Sequence, residues 1–290
     1  MKKRIFGVLL LLPMALFAQQ KHRGADLNTV FVCLDSLTYS KLFEVPFVHD
    51  TLFFCREQST NTNADNYTGK YFIGNAGTLE FFKPKSATKI GDRFGDLGIE
   101  FKTRQRSNLP NYVKTARQNK IPTSVETITA DWDDKKINWY KELNIKYDTV
   151  PGRFALSVIE YQKEYLLAQG FTSAEIAAPM SYAQYNAKLS GGRKYPRQFN
   201  TIRKLQIRLN PNELEYLKQV MKVLGFKKNY NSFAGEDITI AYTVVPKSNF
   251  RLDSVEIDLL NNLPARNITI DGHLKLHVKN NRAVLSFLYN

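Results

Sequence analysis

Apolar and polar positions alternate along most of this chain in short runs, and only a few stretches shift to a helical period. Strict alternation marks half-buried strands, whereas apolar residues at every third or fourth position mark amphipathic helices. LNTVFVCLD, residues 27–35, reads as a Val- and Phe-rich strand, and its final Asp35 can cap a short helix through Leu42. LFFCREQS, KYFIG and TLEFFKP follow as three more strands, with the polar TNTNADNYTG as the loop between the first two. Within TLEFF, Leu79 and Phe81 share one face while Thr78, Glu80 and Phe82 share the other. A core packed on helices takes Leu79 and Phe81, which points Glu80 and Phe82 to the concave side.

The same order recurs. LGIEFKT, residues 97–103, opens a second copy; Asn108 can cap NLPNYVKTARQN, where Pro110 is tolerated in the first turn. SVETITADW, a turn at Asp133-Asp134, INWYKELNIKYD and FALSVIEYQKEYL complete it, the last run carrying Glu160 and turning helical at its end. In V-I-E-Y, Val158 and Glu160 oppose Ile159 and Tyr161, which predicts a concave-side Glu160 to match Glu80. A third copy runs from TIRKLQIRLN into NPNELEYLKQVMKVLGF, where Asn210, Pro211 and Glu213 form a capping box and Gly225 a stop. Its strands are KKNYNSF, DITIAYTVV and LDSVEIDLL, with Glu256 in the last. The spans Leu27 to Glu80, Leu97 to Glu160 and Ile202 to Glu256 cover 53, 63 and 54 positions, too regular to be chance.

The chain is therefore read as α+β, with tandem βαβββ units over 25–85 and 92–167. A helical and basic linker with the Gly-rich GGRKYPRQ occupies 168–200. Over 201–290 lies a third βαβββ-like unit whose closing residues form a β-meander turned at Asp271-Gly272 and Asn280-Asn281. Residues 1–18 have a different character: Lys2, Lys3 and Arg4, an apolar run from Ile5 to Phe17, then small Ala15 and Ala18. That is the pattern of a secretory signal peptide cleaved after Ala18, and its apolar run is shorter than the about 20 residues of a membrane span. A soluble periplasmic or secreted protein with no membrane span is expected.

Charge modifies this picture. The formal net charge is +14, and loss of residues 1–18 with their three cations lowers it to +11. An excess of cations outside the cell suggests an anionic ligand or partner. The basic residues are scattered and lack a stripe with stacking aromatics, which argues against nucleic acid. Four histidines, His22, His49, His273 and His277, show no metal-binding spacing, and no phosphate-loop, nucleophile-elbow or dinucleotide fingerprint is present. Tyr67, Tyr71, Trp132 and Trp139 are candidates to line a cleft, although aromatic strand residues more often pack in a core.

Paired βαβββ units with LNTVFVCLDSLTY, YTGKYFIGNAGTLEFFKP and VIEYQKEYL in this order resemble the vicinal oxygen chelate superfamily of glyoxalases, extradiol dioxygenases and bleomycin-resistance proteins, over residues 25–167. The resemblance implies curved mixed sheets around a cleft. It also implies a divalent metal held by a nitrogen ligand on each first strand and a Glu on each last strand. Glu80 and Glu160 take the carboxylate positions, as metal ligands or as a catalytic acid and base. The first-strand positions fall at Thr29 and Gly98, neither of which supplies nitrogen. Two carboxylates without imidazole hold a transition metal weakly. The implied ligand-binding residues are Thr29, Tyr71, Phe82, Gly98 and Trp139. The implied strand order separates Cys33 from Cys55 and predicts two free thiols.

Three readings of function follow. The first is an exported glyoxalase-like protein with a degenerate metal site, not active as a metal enzyme, that binds a small polar or anionic molecule in the cleft. The second is a metal-dependent lyase, isomerase or dioxygenase of the same fold. The third is a non-catalytic interaction protein of the cell envelope.

Overall fold

The structure is a computed structural model that describes residues 24–85, 89–145, 153–190, 197–247 and 250–289. The expected signal segment with Ala18 and most of GGRKYPRQ lie outside the described residues. Among the described residues, no helix is long and apolar enough to cross a membrane.

The first unit comprises β1 (Ala25–Cys33), α1 (Ser36–Lys41), β2 (Phe54–Asn61), β3 (Asn66–Ile73) and β4 (Thr78–Phe82). Asp35 caps α1 by accepting from the backbone N–H groups of Leu37 and Thr38. The second unit comprises β5 (Leu97–Thr103), α2 (Leu109–Gln118), β6 (Thr123–Trp132), β7 (Lys135–Ile145) and β8 (Phe154–Tyr161). Asp133 and Asp134, both at positive φ, make the two-residue turn between β6 and β7, as type I′ geometry requires. The eight strands form one strongly curled mixed sheet in the order β2-β3-β4-β1-β5-β8-β7-β6. Each unit has its first strand parallel to its last, and antiparallel pairing of β1 with β5 joins the two. This is the paired-module arrangement that the sequence resemblance implies.

The curl brings the sheet's two edges together. Thr62, just after β2, bridges Ala130 on β6, and Asn63 exchanges hydrogen bonds with Thr127 and Thr129. The result is a strap across the mouth of the concave face. On the convex side, Val30, Val32, Leu79, Phe81, Leu97, Ile99 and Phe101 are at most 2% exposed and share one apolar core with α2. Cys33 and Cys55 are free thiols, on strands separated by β3 and β4 as expected. Burial pushes both up to about 12.

After β8 the chain turns helical, as α3 (Lys163–Ala168), α4 (Ser173–Ala177) and α5 (Tyr182–Leu189). Thr172 and Ser181 each form a capping box. Then come β9 (Phe199–Leu209), α6 (Pro211–Leu224), β10 (Lys227–Asn229), β11 (Ser232–Ala234), β12 (Thr239–Val244), β13 (Leu252–Thr269) and β14 (Leu274–Phe287). The capping box at Asn210 and the left-handed Gly225 bound α6 as read from the sequence. Sheet order here is β10-β11-β12-β9-β13-β14.

Two expectations about the third unit are corrected. KKNYNSF is not one strand but the hairpin β10–β11, so the unit ends at β12. Glu256 therefore lies on the next strand, β13, which pairs antiparallel with β9 as β5 does with β1, and it is no counterpart of Glu80. The closing segment is one long β13–β14 hairpin rather than a meander. Asp271-Gly272 does turn the chain, but Asn280 sits at φ 55 opposite Leu263 in a bulge within the ladder. An asparagine that tolerates the left-handed region serves a bulge as well as a turn.

Candidate functional site

Two cavities, of about 710 and 540 Å³, share a wall built by Phe31, Tyr67, Glu80, Glu100 and Tyr140 on the concave side, and the larger also reaches Phe154 and Leu156 of β8 and Tyr216 of α6. Glu80 is the best-defined polar group in that wall. On β4 it lies between Phe31 of β1 and Tyr71 of β3. Leu79 and Phe81 point into the convex core, so alternation turns Glu80 into the cavity, as the sequence predicts. It is 9% exposed, and burial pushes its carboxyl up to about 7 against a smaller opposing effect of the Tyr71 hydroxyl. Its Oε1 atom is fully buried and makes no hydrogen bond of good geometry. Gly69 leaves the space beside that atom open, because a Cβ there would stand 3.0 Å from it.

Glu100, on β5 opposite Thr29, is the second acid of the wall. A bulge in β1 between Leu27 and Thr29 places Asn28, whose Nδ2 donates to Glu100 Oε1, while Tyr161 Oη donates to Asn28 Oδ1 at 3.4 Å. Burial first, then repulsion from Glu142, push Glu100 up to about 8. Glu142, on β7, lines the larger cavity and is likewise raised, mainly by burial, with Glu126 adding repulsion.

The other expected site residues divide. Thr29, Tyr71 and Trp139 line the smaller cavity, and Phe82 the larger. Gly98 lines neither: the Phe31 ring lies over it, so close that a Cβ would come within 1.9 Å of Cε1. Glu160 is on the opposite face from the one expected. Phe154, Leu156 and Val158 of β8 point into the convex core, and Glu160 follows their parity to the N-terminus of α2. There its Oε2 accepts from the backbone N–H groups of Asn108 at 2.9 Å and Leu109 at 3.0 Å. The positive end of a helix accounts for this buried carboxylate. Ile159 and Tyr161 face the smaller cavity instead. His49 is paired with Asp50 at 2.8 Å and lines neither cavity.

Helices α3–α5 cover the smaller cavity with aromatic rings. Tyr161 stacks on Tyr185 at 4.6 Å, Tyr185 shares a 2.8 Å hydrogen bond with Tyr165, and Tyr182 shares one of 2.7 Å with Thr78. Lys102, 4% exposed, donates to the carbonyls of Met180 and Thr103, tying this cover to β5; burial holds its ammonium down at about 8.

The match to known families decides the affiliation. Residues 27–287 fit the model of a family described as "Family of unknown function (DUF5829)". The chain belongs to that family. No curated protein matches it. Among solved structures, a hypothetical protein from Staphylococcus aureus aligns with 85% of this chain and 95% of its own, at 11% identity and a TM-score of 0.53. The 2,3-dioxygenase LapB from Pseudomonas sp. KL28 aligns over 90% of this chain and 91% of its own, at 11% identity and a TM-score of 0.43. The Mn(II)-bound glyoxalase from Novosphingobium aromaticivorans aligns over 90% and 81%, at 12% identity and 0.43. These likenesses concern fold alone.

The divalent metal that the fold type implies does not fit the residues of the family member described here. Glu160 is turned away, Gly98 lies under a phenyl ring, and Thr29 offers no nitrogen. Among the described residues no three His, Cys, Asp or Glu side chains are placed to share an ion. Selective binding of a transition metal needs such a converging set.

Proposed function

We propose that the protein is exported and binds a small polar molecule in the concave cavity of its paired modules without a resident metal. The single observation that carries this reading is Glu80: a buried carboxyl with one oxygen lacking a partner, in the wall common to two cavities. A buried polar atom without a hydrogen bond is costly, and a ligand that supplies a donor there recovers that cost. Cavities of this size with mixed aromatic and polar walls are the usual form of small-molecule sites. Export is supported by the cationic, then apolar, then small-residue order of residues 1–18.

Thermal-shift screening of the purified mature chain against small polar metabolites and divalent ions tests the binding. Expected is stabilisation by organic compounds that is lost in Glu80→Gln. Stoichiometric metal, retained by the wild type and lost in Glu80→Gln, overturns the metal-free reading. Amino-terminal sequencing of the protein from an expressing bacterium is expected to begin at Gln19; an intact Met1 in the soluble cytoplasmic fraction overturns export.

A further inference from the structure

We propose that the larger cavity takes an organic ammonium ion, a primary or secondary amine carried on an apolar, ring-sized body; this rests on the reading that the cavity binds a small molecule. The net charge of the chain is +14, yet the charges around this cavity run the other way. Among the described residues Lys85 is the lining cation, and it is paired with Asp92 at 3.5 Å. Asp65 pairs with Lys89. Glu80, Glu100, Glu126 and Glu142 also line the cavity, and none has a lysine or arginine partner among the described residues. Positive charge is therefore what these acids lack among the described residues.

Three features narrow the cation. The unpartnered Oε1 of Glu80 wants an N–H donor, which primary and secondary ammonium ions carry and quaternary ones do not. Phe31, Tyr67 and Phe82 line the cavity and meet edge to face, at 5.7 and 5.5 Å between centroids. Aromatic walls attract cations and pack apolar bodies. Finally, a volume of about 710 Å³ is far too large for a bare ion and suits a ring-bearing molecule. The smaller cavity shares Glu80 and Glu100 but adds only Asp131 against Arg56, so among the described residues its lining is less acidic.

Titration calorimetry with probes of one body and three head groups tests this: 2-phenylethylamine, 2-phenylethanol and 3-phenylpropanoate, at pH 8.5 and low salt. The amine is expected to bind at least tenfold more tightly than the alcohol, and the carboxylate not at all. Glu80→Gln is expected to weaken the amine tenfold or more and leave the alcohol within about twofold. N-trimethylation of the amine is expected to weaken it, because the donor is lost. Equal or tighter binding of the alcohol or carboxylate overturns the ammonium assignment while the cavity reading stands. Binding of none of the three also overturns it, and the metabolite screen then judges the cavity reading separately. Amine binding unchanged in both Glu80→Gln and Glu142→Gln overturns it as well.

Discussion

Replacing Glu80 by Gln should make this protein more stable, and by an amount that depends on pH. Glu80 is 9% exposed and its carboxyl is raised from the ordinary 4.5 to about 7, with burial as the main cause. The folded chain thus keeps the proton at pH values where the unfolded chain releases it. Stability from this group is fully present below about 4.5 and is lost as pH rises through about 7. One pKa unit is worth about 1.36 kcal/mol, so ionisation of Glu80 costs the folded state about 3 kcal/mol by pH 8. Glutamine keeps the shape and never ionises. Paired urea and thermal denaturation from pH 4.5 to 8.5 should give equal stabilities at the acid end. At pH 8 the variant should lead by about 3 kcal/mol, or roughly 6–10 °C in Tm for a chain of this size. A difference that does not change with pH, or a variant less stable at pH 8, refutes the claim that Glu80 is buried without a counter-charge.

Glu160→Ala strips two backbone N–H groups of their acceptor and is expected to cost about 2–4 kcal/mol in chemical denaturation without altering binding of any cavity ligand. Gly98→Ala forces the Phe31 ring to move and should destabilise by about 1–3 kcal/mol; combined with Phe31→Leu the loss should shrink, and a double-mutant cycle reads the coupling. Cys33 and Cys55, both raised to about 12 by burial, should resist iodoacetamide at pH 8 in the native state and react once unfolded, as mass spectrometry reports.

Most strands, and the helix caps at Asp35 and Asn210, were legible because alternation and capping are local signals; Asn108 makes no side-chain cap, and Glu160 from β8 takes the N–H groups there instead. Glu80 was legible for the same reason: its neighbours Leu79 and Phe81 name the core face outright. Glu160 was misread because V-I-E-Y is too short a window. The full run F-A-L-S-V-I-E-Y puts Phe154, Leu156 and Val158 on the core face, and Glu160 with them. Parity would also have found Glu100, which alternates with Leu97, Ile99 and Phe101 in LGIEFKT. Other features had no local signal. The Phe31 ring over Gly98, the bulge that aims Asn28 and the strap from Thr62 to Ala130 all depend on which strands become neighbours. The burial of Lys102 and the pairing of Arg104 with Asp26, Glu236 and Asp237 likewise depend on contacts distant in the chain.

The polar wall also explains why the cavity is kept rather than filled. Beside that wall, Tyr161 of β8 packs against Tyr165 of α3 and Tyr185 of α5. A chain that needed only stability would extend that packing across Glu80 and Glu100, because apolar residues of similar size would avoid burying carboxyls that have no cation beside them. Instead Gly69 holds space open beside Glu80, and Asn28, itself held by Tyr161, fixes Glu100 in place. Retained cost at one point, surrounded by supports that fix its geometry, is how binding sites differ from cores. On the proposed reading the acids of the wall answer to a bound molecule, and the head group that best offsets them is a positively charged donor.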